Sequence, residues 1–306
     1  TTGPSPSSTK YSQGRAANAL PFNAKGQVMR IKYLGTAAAE GVPAMFCKCP
    51  VCTNIRRLGG REIRTRTQVL IDGCLSVDFP PEAYAHALKF GFCCADITDI
   101  LVTHSHMDHF YAHDFILRGY RYAEGFPGTL DIYGNAEVAA VFSECTRREM
   151  KPVVAPNIAV HVLQPYRRYA VGGYDVLTLP ANHSKSEQAL LFYISRGGKG
   201  YLHMHDTGVP EDGIYSFLAQ NGARANVVAL DCTYAARTGI ARPRHMNIED
   251  GMLVASKLKE AGVCSDETRF VITHFSHNCN PLTANLAQLE RRYGVVAAYD
   301  GMELEA

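Results

Sequence analysis

No stretch of this chain is apolar for long enough to cross a bilayer, so a membrane-spanning helix is not expected. Charge of either sign is not in excess. The 31 Lys and Arg set against 29 Asp and Glu leave +2 with His neutral, too balanced to argue for nucleic acid or an anionic surface as partner. A Gly-x-Ser-x-Gly elbow is missing, which removes the usual support for a serine nucleophile. Gly35-Thr36 and Gly41 lack the Gly-Lys-Ser/Thr ending of a phosphate-cradling loop. Residues 1–28 contain no Asp or Glu and no sustained apolar run, so they do not read as a secretory signal. Their Ser, Thr, Pro, Gly and Asn content predicts a disordered leader or tail, followed by a single domain over 29–306 with no composition shift inside it.

What is present is an ordinary globular chain with two unusual clusters. Hydrophobic residues make up 46% of the 306, enough for a sizeable core. Of ten Cys, seven are scattered through apolar contexts. They read as free thiols in a reducing compartment, and the expected location is cytoplasmic. Apolar runs and alternation predict strands at 28–35, 67–73, 99–104, 130–135, 158–166, 174–183, 189–198, 200–208, 225–232, 270–277 and 295–304. Helical patterns fall at 81–91, 113–125, 135–150, 247–262 and 282–294. Arg196-Gly197-Gly198-Lys199 reads as a hairpin turn. Strands in two groups, with helices between and after them, predict a layered α/β domain.

The first cluster is Thr103-His104-Ser105-His106-Met107-Asp108-His109, just after an apolar strand. Three imidazoles and a carboxylate in six residues suit zinc, manganese or iron, and a solvated polar loop is the competing explanation. Alternate spacing points His104 and His106 the same way, while Asp108 and His109 follow as the chain turns.

The His-x-His-x-Asp-His pattern resembles the signature of the metallo-β-lactamase superfamily. That resemblance implies a four-layer αββα sandwich (α+β), with a dinuclear metal centre at one edge of its two sheets. Asp72 in Leu70-Ile71-Asp72-Gly73 matches an Asp expected behind the ligands. His183, Asp206 and His274 match the lone His, the bridging Asp and the late His, in that order along the chain. By resemblance, one ion is held by His104, His106 and His183, the other by Asp108, His109 and His274, and Asp206 bridges them. His86, His113, His161, His203 and His205 have no matching role and are expected to be structural or surface residues.

The second cluster is Cys47-x-Cys49-x-x-Cys52. Three thiolates need a fourth ligand to close a tetrahedral structural zinc site. His277, three residues after His274, is the candidate; a redox thiol cluster is the competing reading. Together with Gly41-Val42-Pro43-Ala44, Asn182-His183-Ser184-Lys185, Leu230-Asp231-Cys232, Ser276-His277 and Asp300-Gly301-Met302-Glu303, it makes the chain similar to the PhnP-like phosphodiesterase subgroup. After Lys185 the match fades.

The resemblance implies hydrolysis of a small phosphodiester, such as a cyclic ribose phosphate. Two divalent ions (zinc or manganese, or iron) would share a hydroxide that attacks phosphorus. Asp108 would belong to this machinery, and His245 in Arg244-His245-Met246-Asn247 would protonate the leaving alkoxide. Arg242 and Arg244 are candidates for holding a terminal phosphate. Rival readings are an accessory protein like the PQQ-biosynthesis B protein, a nuclease, or a thiolesterase on the same scaffold. A small molecule is the expected partner, nucleic acid is not, and a homodimer is the default oligomer.

Overall fold

A computed structural model describes residues 28–240 and 244–306, so residues 1–27 of the predicted leader and Arg242 lie outside the described residues. Fourteen strands form two seven-stranded sheets among these residues. The first sheet holds β1 (Arg30–Gly35), β2 (Gln68–Ile71), β3 (Leu75–Val77), β4 (Asp99–Leu101), β5 (Leu130–Gly134) and β6 (Ile158–Val162), with β14 (Met302–Glu305) beside β1. The second holds β7 (Arg167–Val171), β8 (Tyr174–Pro180), β9 (Leu190–Arg196), β10 (Lys199–Met204), β11 (Val227–Asp231), β12 (Arg269–Thr273) and β13 (Val296–Ala297), in reverse spatial order.

Alternation along the strands explains why the sheets stack. In β9, Leu190, Phe192 and Ile194 enter the core between the sheets, while Leu191 and Tyr193 face the outer side. β8 and β11 repeat the division: Val176, Val227 and Ala229 point inward, and Leu177, Val228 and Leu230 outward. From the first sheet Ile31, Val69, Ile71, Val77 and Leu101 meet them. Each such side chain taken from water contributes about 1.5–3 kcal/mol.

Helices cover the outer faces. Ala83 of α2 (Ala83–Phe90) and Val138 of α3 (Ala136–Thr146) pack on Leu70, Ile100 and Ile132 of the first sheet. Leu218 of α4 (Gly213–Gln220), Val254 and Leu258 of α5 (Ile248–Glu260), and Leu286 and Leu289 of α6 (Thr283–Tyr293) pack on the second. The order of layers is therefore αββα, as expected. α1 (Pro50–Leu58), which the sequence reading did not anticipate, starts with Pro at its first turn and is capped by the Cys49 side chain.

Two predicted elements differ. The helix expected over 113–125 is a short 3-10 stretch, Ala112–Leu117, because Gly119 (φ 136°) and Tyr120 (φ 58°) turn the chain out of the helical path. The closing strand expected over 295–304 is split. β13 joins the second sheet, a turn at Gly301 (φ 93°) follows, and β14 joins the first. The Arg196–Lys199 hairpin is a two-residue turn with both glycines at positive φ, as its right-handed twist requires.

β3 to β6 run parallel, as do β10 to β12, and β8 shares their direction through two antiparallel pairings. The carboxyl ends of β3, β4, β8, β10, β11 and β12 each lead into a loop that carries polar residues of the site.

Candidate metal centre

These loops bring together the residues singled out from the sequence. His104, His106, His183 and Asp206 each offer a ligand atom within 4.8 Å of the others, and so do Asp108, His109, Asp206 and His274. Asp206 belongs to both groups. Its Oδ1 lies 2.9 Å from His183 Nδ1, and its Oδ2 lies 3.4 Å from His104 Nε2 and 3.2 Å from His109 Nε2. His106 Nδ1 is 2.9 Å from His104 Nε2 and 3.4 Å from His183 Nε2.

The backbone delivers these groups under strain. Asp78, Asp206 and His274 sit at strand ends with φ of 63°, 53° and 64°, the left-handed region that non-glycine residues rarely adopt. Such outliers persist where surrounding structure holds them, and they cluster at functional sites.

The donor set suits divalent metal. His109 Nε2, His274 Nε2 and Asp206 Oδ1 are buried and have no hydrogen-bond partner, although they converge. Burial opposes charge on His109, yet Asp108 and Asp78 raise its ring well above the ordinary value. Burial alone would also raise Asp206, but His274, His109 and His183 hold its carboxyl well below the carboxylate range. Burial pushes His104 well below its ordinary value, which favours the neutral ring that a metal ligand needs, and a cation in place of the His109 proton would leave that ring neutral too. A cation between such carboxylates and imidazole lone pairs satisfies all of them.

A model of the beta-lactamase superfamily domain matches residues 67–275. The chain belongs to that superfamily. Its metallo-β-lactamase sandwich recurs in solved structures. A diphosphatase from the PhnP family superposes with TM-score 0.70 at 22% identity over 92% of this chain and 98% of that one. Zinc-bound PqqB from Methylobacterium extorquens gives 0.65 at 20% identity, over 90% and 100%. The short form of human tRNase Z gives 0.62 at 17% identity, over 90% and 98%. No curated protein sequence matches the chain. The superfamily and the clusters together make this a metallo-β-lactamase-fold hydrolase.

Further carboxylates stand behind the converging imidazoles. Asp72, expected among them from the sequence, does not approach the centre. It lies in the β2–β3 turn, accepts from Arg30 N at 2.8 Å and Tyr174 Oη at 2.7 Å, and pairs with Arg196. The carboxylate behind the ligands is Asp78, after β3. It accepts from His109 Nδ1 at 2.7 Å and from Thr103 N at 2.8 Å. Asp231, the last residue of β11, does the same on the other side: it accepts from Thr207 N, Thr233 N and Met246 N, with His245 Nδ1 at 3.3 Å and His274 Nδ1 at 3.5 Å. Asp206, Asp231, His245 and His274 also form a ligand-spaced group. Asp231's oxygens are already engaged by backbone amides, so we assign it to holding the two rings.

A third orienting carboxylate was not singled out at all. Glu187 accepts from Ser105 N at 3.0 Å, Ser105 Oγ at 2.8 Å and Asn135 Nδ2 at 2.7 Å. It thereby ties the His104–His106 segment to the loop that carries His183. Glu187→Ala is expected to weaken metal retention about 10–100-fold, the usual cost of losing such a partner. Metal titration of the purified protein measures this, and unchanged affinity would remove Glu187 from the design.

Of the histidines expected to be structural, His86 is buried between Gln68 and Thr65, and burial pushes its ring down to about 3. The His203 and His205 rings are tilted at 41° with centroids 3.8 Å apart; both are buried and, by alternation along β10 and the residues after it, lie on the opposite side of the chain from Asp206. His161 pairs with Asp131 at 2.6 Å, away from the centre. His113 lies against Tyr111, with ring centroids 5.1 Å apart.

Cys47, Cys49, Cys52 and His277 form the remaining ligand-spaced group. His277 Nδ1 is 3.3 Å from Cys52 Sγ and 3.7 Å from Cys49 Sγ. Backbone amides of Ala44, Cys49 and Cys52 donate to sulfurs of Cys52, Cys47 and Cys49 respectively. The Cys52 amide, with the His277 ring, lowers the Cys49 thiol to about 6, while burial pushes the Cys52 thiol up to about 11. A zinc ligand must be a thiolate, and a cation in the cluster would draw the Cys52 proton off as well.

Proposed function

We propose that the protein is a dinuclear-metal phosphodiesterase acting on a small phosphodiester, with a separate structural zinc. The observation that carries this reading is the convergence of two ligand groups on the shared carboxylate of Asp206. His104, His106, His183 and Asp206 would hold one divalent ion, and Asp108, His109, His274 and Asp206 the other. A bound pair of this kind lowers the pKa of water and polarises phosphoryl oxygens. The chain's own groups do the rest. Asp78, Asp231 and Glu187 fix the ligand rings in place, so the site need not reorganise as charge develops. His245 faces Asp206 Oδ1 at 3.1 Å and Asp231 Oδ2 at 3.3 Å through Nδ1, which leaves Nε2 to give a proton to a leaving alkoxide.

The cyclic ribose phosphate suggested by the PhnP resemblance is the first substrate to try. The protein loaded with manganese or zinc should open 5-phosphoribosyl 1,2-cyclic phosphate and cleave bis(p-nitrophenyl) phosphate. Turnover of the nitrophenyl diester alone would keep the chemistry and discard the sugar. Turnover of neither, with both ions bound, would end the phosphodiesterase reading. His245→Ala should slow the sugar ester about 10²-fold or more, within the usual contribution of a general acid. It should slow the nitrophenyl diester far less, because nitrophenolate leaves without a proton. Equal losses on both would remove the acid role.

A further inference from the structure

Beside the centre lies a pocket of about 440 Å³ that neither of the two Asp206 ligand groups lines, though Cys47 of the cysteine cluster borders it. Ala39, Ala44, Met45, Phe46 and Met107 make it mostly apolar, with Glu40 and Arg66 as its charged lining. Its volume falls in the range of small-molecule sites. Met107 stands between His106 and Asp108, so the pocket opens directly from the metal-ligand loop. On the other flank Glu40 accepts from Ser276 Oγ at 2.6 Å, two residues past His274.

The side chains around it are presented in a way that folding alone does not explain. Phe46 is 96% exposed, Met45 60% and Met107 55%. Three large apolar groups are held in water around one mouth, Met45 and Phe46 on the loop next to the cysteine cluster and Met107 on the His104–His109 segment, and they mark a surface made to be covered. A ring and two thioethers favour a flat π-system, by stacking and by sulfur–aromatic contact. Arg66 does not offer a free positive charge for a phosphate, because its Nε donates to Ala39 O at 3.0 Å and pairs with Glu82 at 3.5 Å. The ligand portion that fits is therefore aromatic rather than anionic.

We propose that this pocket binds a planar aromatic substituent of the substrate, as a nucleobase does, so that the enzyme favours nucleoside phosphoesters over esters of sugar alone. The assignment rests on the phosphodiesterase reading of the adjacent centre.

Calorimetry on the full metal-loaded chain would compare adenosine 5′-monophosphate with ribose 5-phosphate. The nucleotide should bind at least about tenfold tighter, in line with one base stacked on an aromatic side chain. Phe46→Ala and Met107→Ala should each reduce that preference. Both side chains are exposed, so the variants should fold, and circular dichroism checks that they do. In turnover, Phe46→Ala should raise KM for 2′,3′-cyclic adenosine phosphate about tenfold, leave its kcat within twofold, and leave 5-phosphoribosyl 1,2-cyclic phosphate unchanged. Equal affinity for the two monophosphates, or a preference untouched by both substitutions, would overturn the pocket assignment while leaving the hydrolytic one intact. Preferential nucleotide binding without turnover of any diester would support the pocket and sink the reaction.

Discussion

Asp206→Asn should lower kcat/KM on any diester the protein turns over by at least about 10³-fold, which is about 4 kcal/mol of transition-state stabilisation. The change keeps the shape of the side chain and removes its charge. That charge is placed between two sets of imidazoles, with one oxygen toward His183 and the other toward His104 and His109. Without it, each set would be left with neutral rings or with Asp108 alone, so retention of the second ion should fail. Metal content measured on the dialysed variant should drop from two catalytic ions per chain to one or none. His161→Ala provides the contrast. It removes a half-exposed imidazole that pairs with Asp131 at 2.6 Å, and activity should stay within about threefold. An Asp206→Asn protein that keeps both ions and its rate would refute the shared-carboxylate reading.

Loss of the zinc proposed for the cysteine cluster should be felt in stability first. Cys52→Ala removes a fully buried thiol from the ligand-spaced group that joins α1 to the segment after β12. A loss of about 4 kcal/mol is expected, at the upper end for single substitutions and typical of a lost metal. For a chain of this size that corresponds to about 10 °C in Tm. Zinc content should fall by one per chain. Because His277 follows His274 by three residues, affinity at the catalytic centre should fall as well. Thermal melts of the variant, and of the wild type after mild chelation, are the measurement. An unchanged Tm alongside stoichiometric zinc loss would assign the cysteines to some role other than holding the fold.

Much of this architecture is visible in the sequence because function forces polar residues into apolar surroundings. The segment from His104 to His109 is conspicuous for that reason: it follows Ile100-Leu101-Val102, where packing calls for hydrophobes. Asp72 and Asp78 show where such reasoning stops. Each follows a short apolar run, and nothing local separates them. What distinguishes Asp78 is that β3 lies parallel to β4, which puts its carboxylate beside Thr103 and His109. A three-residue strand is too short for alternation to reveal it. Glu187 is hidden by distance, since Ser105 is 82 residues away along the chain. The bend at Gly119 and Tyr120 overrode a helical pattern that composition alone supported. Phe46 escaped notice because exposure, the property that makes it unusual, is not written in residue order.

The division of the last strands between the sheets also bears on how the chain is made. β1, the earliest of the described strands in chain order, has β2 on one side and β14 on the other, with Arg30 opposite Glu305 and Tyr33 opposite Met302. During synthesis β2 reaches β1 early, but β14 emerges only after all of the second sheet. Until β14 is made, one side of β1 is therefore a row of amides and carbonyls without its partner strand, open to pairing with another chain. The four residues of β14 act as a late cover for that edge.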